Sequence, residues 1–173
     1  MSDYRSHNAD FAANQDNESQ AQKHLDEFWQ NLKVSVDRAG ACQDFDAQYT
    51  YANSTFRIEE KIRFIGNVRD DILLEIVQAL EVPDWGWLTK TPADRLVYVL
   101  CGADWIPIKL YSFLLPDLRR WYYQTYLPTH AHGQYICSAK GYGITINLVL
   151  PIRDIPKALY KVHLIGSDKE SNT

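Results

Sequence analysis

Cysteine is scarce in this 173-residue chain: Cys42, Cys101 and Cys137 are odd in number, far apart, and form no CxxC pair. That excludes a disulfide scaffold and a cysteine-built zinc site as readings, and a reducing, cytoplasmic setting is the expectation. Long apolar runs are missing too. The nearest approach, LVYVLCGADWIPIKLYSFLL, is broken by Gly, Asp, Pro and Lys, so no membrane span is expected. The opening MSDYRSHNADFAANQDNESQ has no basic stretch leading into an apolar one, which predicts no secretory signal. Nor is there an excess of basic charge, since the net charge is −4. Residues 1–27 account for all of it, with six acidic residues against two basic ones, leaving 16 of each sign elsewhere. A neutral body can still present a local basic groove, so global charge excludes no partner. No Gly-rich phosphate loop, G-x-S-x-G elbow or H-E-x-x-H helix occurs.

What is present is an aromatic-rich globular composition, 46% hydrophobic and 23% charged, with five Trp and eleven Tyr. It predicts one domain over residues 18–165, preceded by a polar, aperiodic arm (1–17) and followed by a polar tail (166–173). Leu25, Phe28, Trp29, Leu32 and Val36 recur at three- and four-residue steps, which predicts an amphipathic helix over 18–36, ending near Gly40. Strands are expected at 45–51, 55–64 and 71–80, laid side by side as an antiparallel meander. A loop follows over 82–93, then strands at 95–101 and 106–111, with 102–104 as the turn between them. Pro116-Asp117 opens a helix, and a final strand (144–150) and short helix (154–160) close the domain. The class is α/β, with α+β as the variant, built on a mixed central sheet flanked by helices.

The stretch FRIEEKIRF (56–64) holds the chemistry. Period-two alternation puts Phe56, Ile58, Ile62 and Phe64 on one face and Arg57, Glu59, Lys61 and Arg63 on the other. Glu60 is the anomaly, because it sits where the apolar face should continue. Asp46 lies thirteen residues before Glu59, a hairpin's length, and Glu75 falls on the next expected strand, inside ILLEIV. Two converging carboxylates supply hard oxygen ligands for Mg²⁺, and a neighbouring ammonium can orient a water or steady charge on a phosphate. Metal-assisted phosphodiester hydrolysis needs this set. Arg57, Arg63 and Lys90 are the candidate phosphate contacts, with a solvated cross-strand charge ladder as the plainer account of the first two. Trp85 and Trp87 read as core packing, and the pair His130 and His132 as a polar loop.

Asp46, Glu59 and Lys61, spaced D…(13)…E-x-K, resemble the PD-(D/E)XK nuclease signature. The wider text IEEKIR…DDILLEIV…GWLTKTPADRLVYVL…LPDLRRWY is similar to small phage and bacterial proteins of that superfamily, over roughly residues 43–126. The resemblance implies a restriction-endonuclease-like fold and Mg²⁺-dependent hydrolysis of DNA, with Mn²⁺ as a substitute. It implies Asp46 and Glu59 as metal ligands, Lys61 as the catalytic lysine, Glu75 as an auxiliary acid, and the Glu60 carbonyl as a further metal contact. Many such nucleases cut two strands with two copies, so a homodimer is an expectation of the same kind. The chain departs from the pattern in carrying Phe45 rather than Pro before Asp46. Asp44, two residues away on the same face, competes for the ligand role. The alternative is an accessory module that binds nucleic acid or protein and keeps the fold without cleaving.

Overall fold

The computed structural model describes residues 4–38, 44–64, 70–79, 84–130, 135–140 and 143–165. The expected tail (166–173), Cys42 and His132 lie outside them. Helix α1 (Tyr4–Asn31) starts fourteen residues before the predicted boundary, so the expected arm is helical backbone from Tyr4 onward. Its buried stripe is Ala21, Leu25 and Trp29, one residue per turn. Full burial of Leu25 alone is worth about 1.5–3 kcal/mol. The helix stops at Asn31 instead of continuing to Val36. Lys33 takes a left-handed φ of 59°, Val34 N–H reaches back to the Trp29 carbonyl (2.9 Å), and Lys33 N–H to that of Gln30 (2.9 Å). This is a Schellman closure with Lys in glycine's usual place, and Val34 packs in the same cluster as Trp29. Val36, which fits the helical spacing, is therefore delivered to strand β1 (Ser35–Arg38).

β2 (Ala47–Tyr51) and β3 (Ser54–Phe64) form a hairpin through the two-residue turn Ala52-Asn53, with Ala52 at φ 52°. After β4 (Asp71–Ala79), β5 (Asp84–Trp85) and the one-turn helix α2 (Trp87–Lys90), the chain returns as β6 (Arg95–Cys101). β7 (Pro107–Leu114) runs into α3 (Leu115–Trp121), a π turn (Tyr122–Tyr126) and α4 (Leu127–Thr129). β8 (Tyr135–Lys140), β9 (Gly143–Pro151), two 3₁₀ turns in place of the expected last helix, and β10 (Tyr160–Leu164) complete the described chain.

The class is the expected mixed α/β, but the strand neighbours differ from a meander. One sheet has six strands in the order β1-β2-β3-β6-β7-β10, and a second has four in the order β5-β4-β9-β8. β4 does not pair with β3. The second edge of β3 is taken by β6 in parallel, Glu59 opposite Leu96 and Lys61 opposite Tyr98, so β4, β5 and α2 serve as the crossover a parallel pair requires. β6 is buried from Leu96 to Cys101 because both faces are covered, and its near-continuous apolar text follows from that. Val97, Val99 and Cys101 face α1, with Ile58, Tyr49 and Leu110. Leu96, Tyr98 and Leu100 face the second sheet, where they meet Ile72 and Leu74 of β4, Leu148 and Leu150 of β9, and Leu115, Leu118 and Tyr122. The Tyr98 hydroxyl accepts Leu73 N–H across that layer (2.9 Å). No helix among the described residues is long and apolar enough to cross a membrane.

Candidate functional site

The expected polar face of β3 is real, and its first useful consequence lies at the end of the β2–β3 ladder. Asp46 N–H still bonds the Ile58 carbonyl (2.9 Å), but β2 offers nothing beyond it. There the Asp46 carboxylate takes the strand's place and accepts Glu60 N–H at 2.7 Å. Two residues of one strand face then complete a cluster. Lys61 Nζ lies 2.6 Å from Glu59 Oε1 and 3.4 Å from Asp46 Oδ2. The same ammonium stands 5.7 Å from the centre of the Trp87 ring, within cation–π range.

Burial divides the three unequally. Asp46 is solvent-reachable, Lys61 half-buried, and Glu59 only 5% exposed. Burial pushes the Glu59 carboxyl up, and Asp46 adds to this, while Lys61 and a Thr91 hydrogen bond work against it. At Lys61 burial disfavours the charge, yet Asp46 and Glu59 together outweigh it and leave the ammonium above its ordinary value. The pair is mutually dependent, since either charge alone in this place would lack its compensation.

Asp46 and Glu59 open onto a cleft of about 290 Å³ to which three segments contribute: Asp44 to Asp46 ahead of β2, Glu59 on β3, and Trp87, Lys90 and Thr91 around α2. Two sets of hydrogen bonds fasten its walls. Thr91 donates to the Asp44 carbonyl (2.9 Å), so the α2 side is tied to the segment carrying Asp46. Arg119 of α3 donates to the carbonyls of Leu88 and Thr91 and closes the C-terminal end of α2. The sequence marks Arg119 only as a basic residue on the helix that opens at Pro116-Asp117. Gly86, just before α2, is demanded by packing: a Cβ there would sit 2.1 Å from the Glu75 carbonyl oxygen.

The other expected site residues are placed elsewhere or already engaged. Glu75 lies on β4 in the second sheet, not on a strand beside Glu59, and its carboxylate accepts Trp87 N–H at 3.4 Å. Lys61 is engaged by Glu59 and Asp46, and Arg63 by Asp71. Arg63 thereby joins the two sheets. Arg57 grips Asp94 through Nη2 (2.8 Å) and Nε (3.1 Å), and the main chains of the two residues bond each other as well. Neither arginine lines the cleft; Lys90 does. Trp87 is buried as expected, whereas Trp85 is 60% exposed. His130 stacks on Tyr126 with ring centres 4.3 Å apart.

The donor set can be judged against the divalent cation the resemblance implies. Among the described residues no three of His, Cys, Asp and Glu gather as a ready metal cage. Mg²⁺ needs no such cage, because it keeps several waters and is commonly held by one or two carboxylates. Asp46 and Glu59 both point at one cationic centre, the Lys61 ammonium, and both are hard oxygen donors. The residues present fit Mg²⁺ and do not fit a thiolate- or imidazole-bound metal. Comparison of the chain with protein-family models, curated proteins and solved structures found no match.

Proposed function

We propose that this chain is a Mg²⁺-dependent nuclease acting on DNA, with Asp46, Glu59 and Lys61 in the roles of a PD-(D/E)XK site. The observation that carries the reading is the meeting of their three charged heads from two segments thirteen residues apart in sequence, with Asp46 and Glu59 lining one open cleft. Asp46 and Glu59 would hold the cation, which when bound supplies charge to a phosphate oxygen and lowers the pKa of a coordinated water. Lys61 lies against both carboxylates, which favour its charged form. It therefore acts as a hydrogen-bond donor and positive charge rather than as a base, holding the attacking water and steadying charge gathering on the phosphorus oxygens. Lys90 at the cleft rim supplies a phosphate contact. In-line attack leaves a 5′-phosphate and a 3′-hydroxyl.

The test is incubation of the protein with end-labelled linear duplex, branched and single-stranded DNA in Mg²⁺, Mn²⁺ or EDTA. Cleavage with either cation and none in EDTA is expected. One observation favours a second reading, the non-cleaving accessory module: Lys61 already pairs with both carboxylates and offsets part of their charge. DNA retention without cleavage under every cation would establish that reading instead.

A further inference from the structure

The anomaly in FRIEEKIRF has a physical account on the face of β3 turned away from the cleft. Glu60 is 4% exposed among the apolar residues beneath α1. An isolated carboxylate there would be costly, and this one is held twice. Arg38 Nη1 donates to its Oε2 at 2.6 Å, and the Tyr49 hydroxyl donates to its Oε1. Arg38 is itself clamped by Asp26 of α1 through Nε (3.2 Å) and Nη2 (2.5 Å). One side chain thus ties β3 to β1, β2 and α1 at once.

The main chain of the same residue faces the site. Glu60 N–H is the group that Asp46 Oδ2 accepts at 2.7 Å, beyond the last rung of the β2–β3 ladder. Asp46 precedes β2 and its side chain is 41% exposed, so without that N–H its carboxylate would have only the Lys61 contact at 3.4 Å to choose its rotamer. We infer that Glu60 is a positioning residue: its buried side chain, gripped by Arg38 and Tyr49, fixes the peptide that aims the Asp46 carboxylate at Lys61 and Glu59. This rests on reading those three residues as the site, and it makes the geometry of the cleft depend on contacts through the sheet to α1.

The test replaces the buried polar set with apolar residues of similar size, Arg38→Met, Tyr49→Phe and Glu60→Leu together, so that no orphaned charge is left in the core. Three quantities are measured against the unaltered protein: melting temperature, the Mg²⁺ concentration giving half-maximal DNA cleavage, and the crystal structure around Asp46. The inference predicts a melting temperature no lower than the original. It predicts a half-maximal Mg²⁺ concentration raised roughly tenfold to a hundredfold, as for lost outer supports of a metal ligand. It also predicts that Asp46 Oδ2 moves beyond about 3.5 Å from the main-chain nitrogen of position 60. An unchanged Mg²⁺ requirement with Asp46 in place overturns it. If the unaltered protein cleaves no DNA, the nuclease reading falls, and the Asp46 position in the two crystal structures alone decides the inference. Should the triple variant not fold, Glu60→Gln is measured the same way, and an undisturbed Asp46 again overturns it.

Discussion

At Lys61 two effects of burial meet: desolvation works against the ammonium, and two carboxylates within 3.4 Å hold it charged. Lys61→Met removes that compensation, so Glu59 is left as a buried carboxylate without its cation. The metal-free protein should lose about 3 kcal/mol, the lower end of the cost of stranding a buried charge. Mg²⁺ should return part of it, which melts with and without the cation will show. Cleavage should fall on the order of 10²–10³-fold, as when a preorganised donor is lost. A destabilised variant with an undiminished rate would remove Lys61 from the chemistry. The rivalry between Asp44 and Asp46 is decided on the same scale. Both line the cleft, but only Asp46 is described with its carboxylate fixed by Glu60 N–H and Lys61; Asp44 contributes its main-chain carbonyl to Thr91. Asp46→Asn should abolish Mg²⁺-dependent cleavage while Asp44→Asn retains most of it, measured at saturating Mg²⁺; the reverse ranking transfers the ligand role.

Among the elements, β3 was legible because period-two alternation is a local property, and both of its faces lie where the spacing put them. β6 was legible for its apolar text. The position of β4 was not, because nearness in sequence stood in for nearness in the sheet, whereas β3 completes itself with a parallel strand 37 residues on, Ile58 opposite Arg95. That difference moves Glu75 to the second sheet and changes what its removal should do. Glu75→Gln keeps an acceptor for Trp87 N–H, so stability should stay within about 0.5 kcal/mol. The Mg²⁺-induced rise in melting temperature should be unchanged, and a loss of that rise would return Glu75 to the site. Glu60 was visible as an anomaly, but its partner Arg38 lies 22 residues away on a strand whose Val36 mimics helical spacing. α1 carries a pH dependence of its own. His163 of β10 lies against Phe28 and Trp29, with ring centres 6.2 and 6.4 Å away. Burial lowers its pKa, and Lys161 adds to the effect. A base whose folded pKa is depressed contributes stability above its unfolded value, about 6.5, and loses it as pH falls through the folded value. Melts at pH 7 and pH 5 should therefore show a smaller drop for His163→Gln than for the original protein; equal drops would place the acid sensitivity elsewhere.

Over the whole molecule, two apolar layers back the six-stranded sheet, one beneath α1 and one against the second sheet. The candidate site lies where the β2 ladder ends and α2 closes over β3. The rigid sheet supplies Glu59 and Lys61, and the less constrained segment before β2 supplies Asp46. That division explains why the site needs support from both sides, from Thr91 and Arg119 at the cleft wall and from Glu60 through the sheet. The most direct measurement of the central claim is single-turnover cleavage of end-labelled DNA in Mg²⁺ by the original protein and by Glu59→Gln, with melts confirming that both are folded. The account predicts fragments bearing 5′-phosphate and 3′-hydroxyl ends from the original protein, none in EDTA, and a rate for Glu59→Gln lower by at least about 10²-fold. A folded original protein that cuts no DNA form with Mg²⁺ or Mn²⁺, or a folded Glu59→Gln that cuts at the original rate, would contradict it.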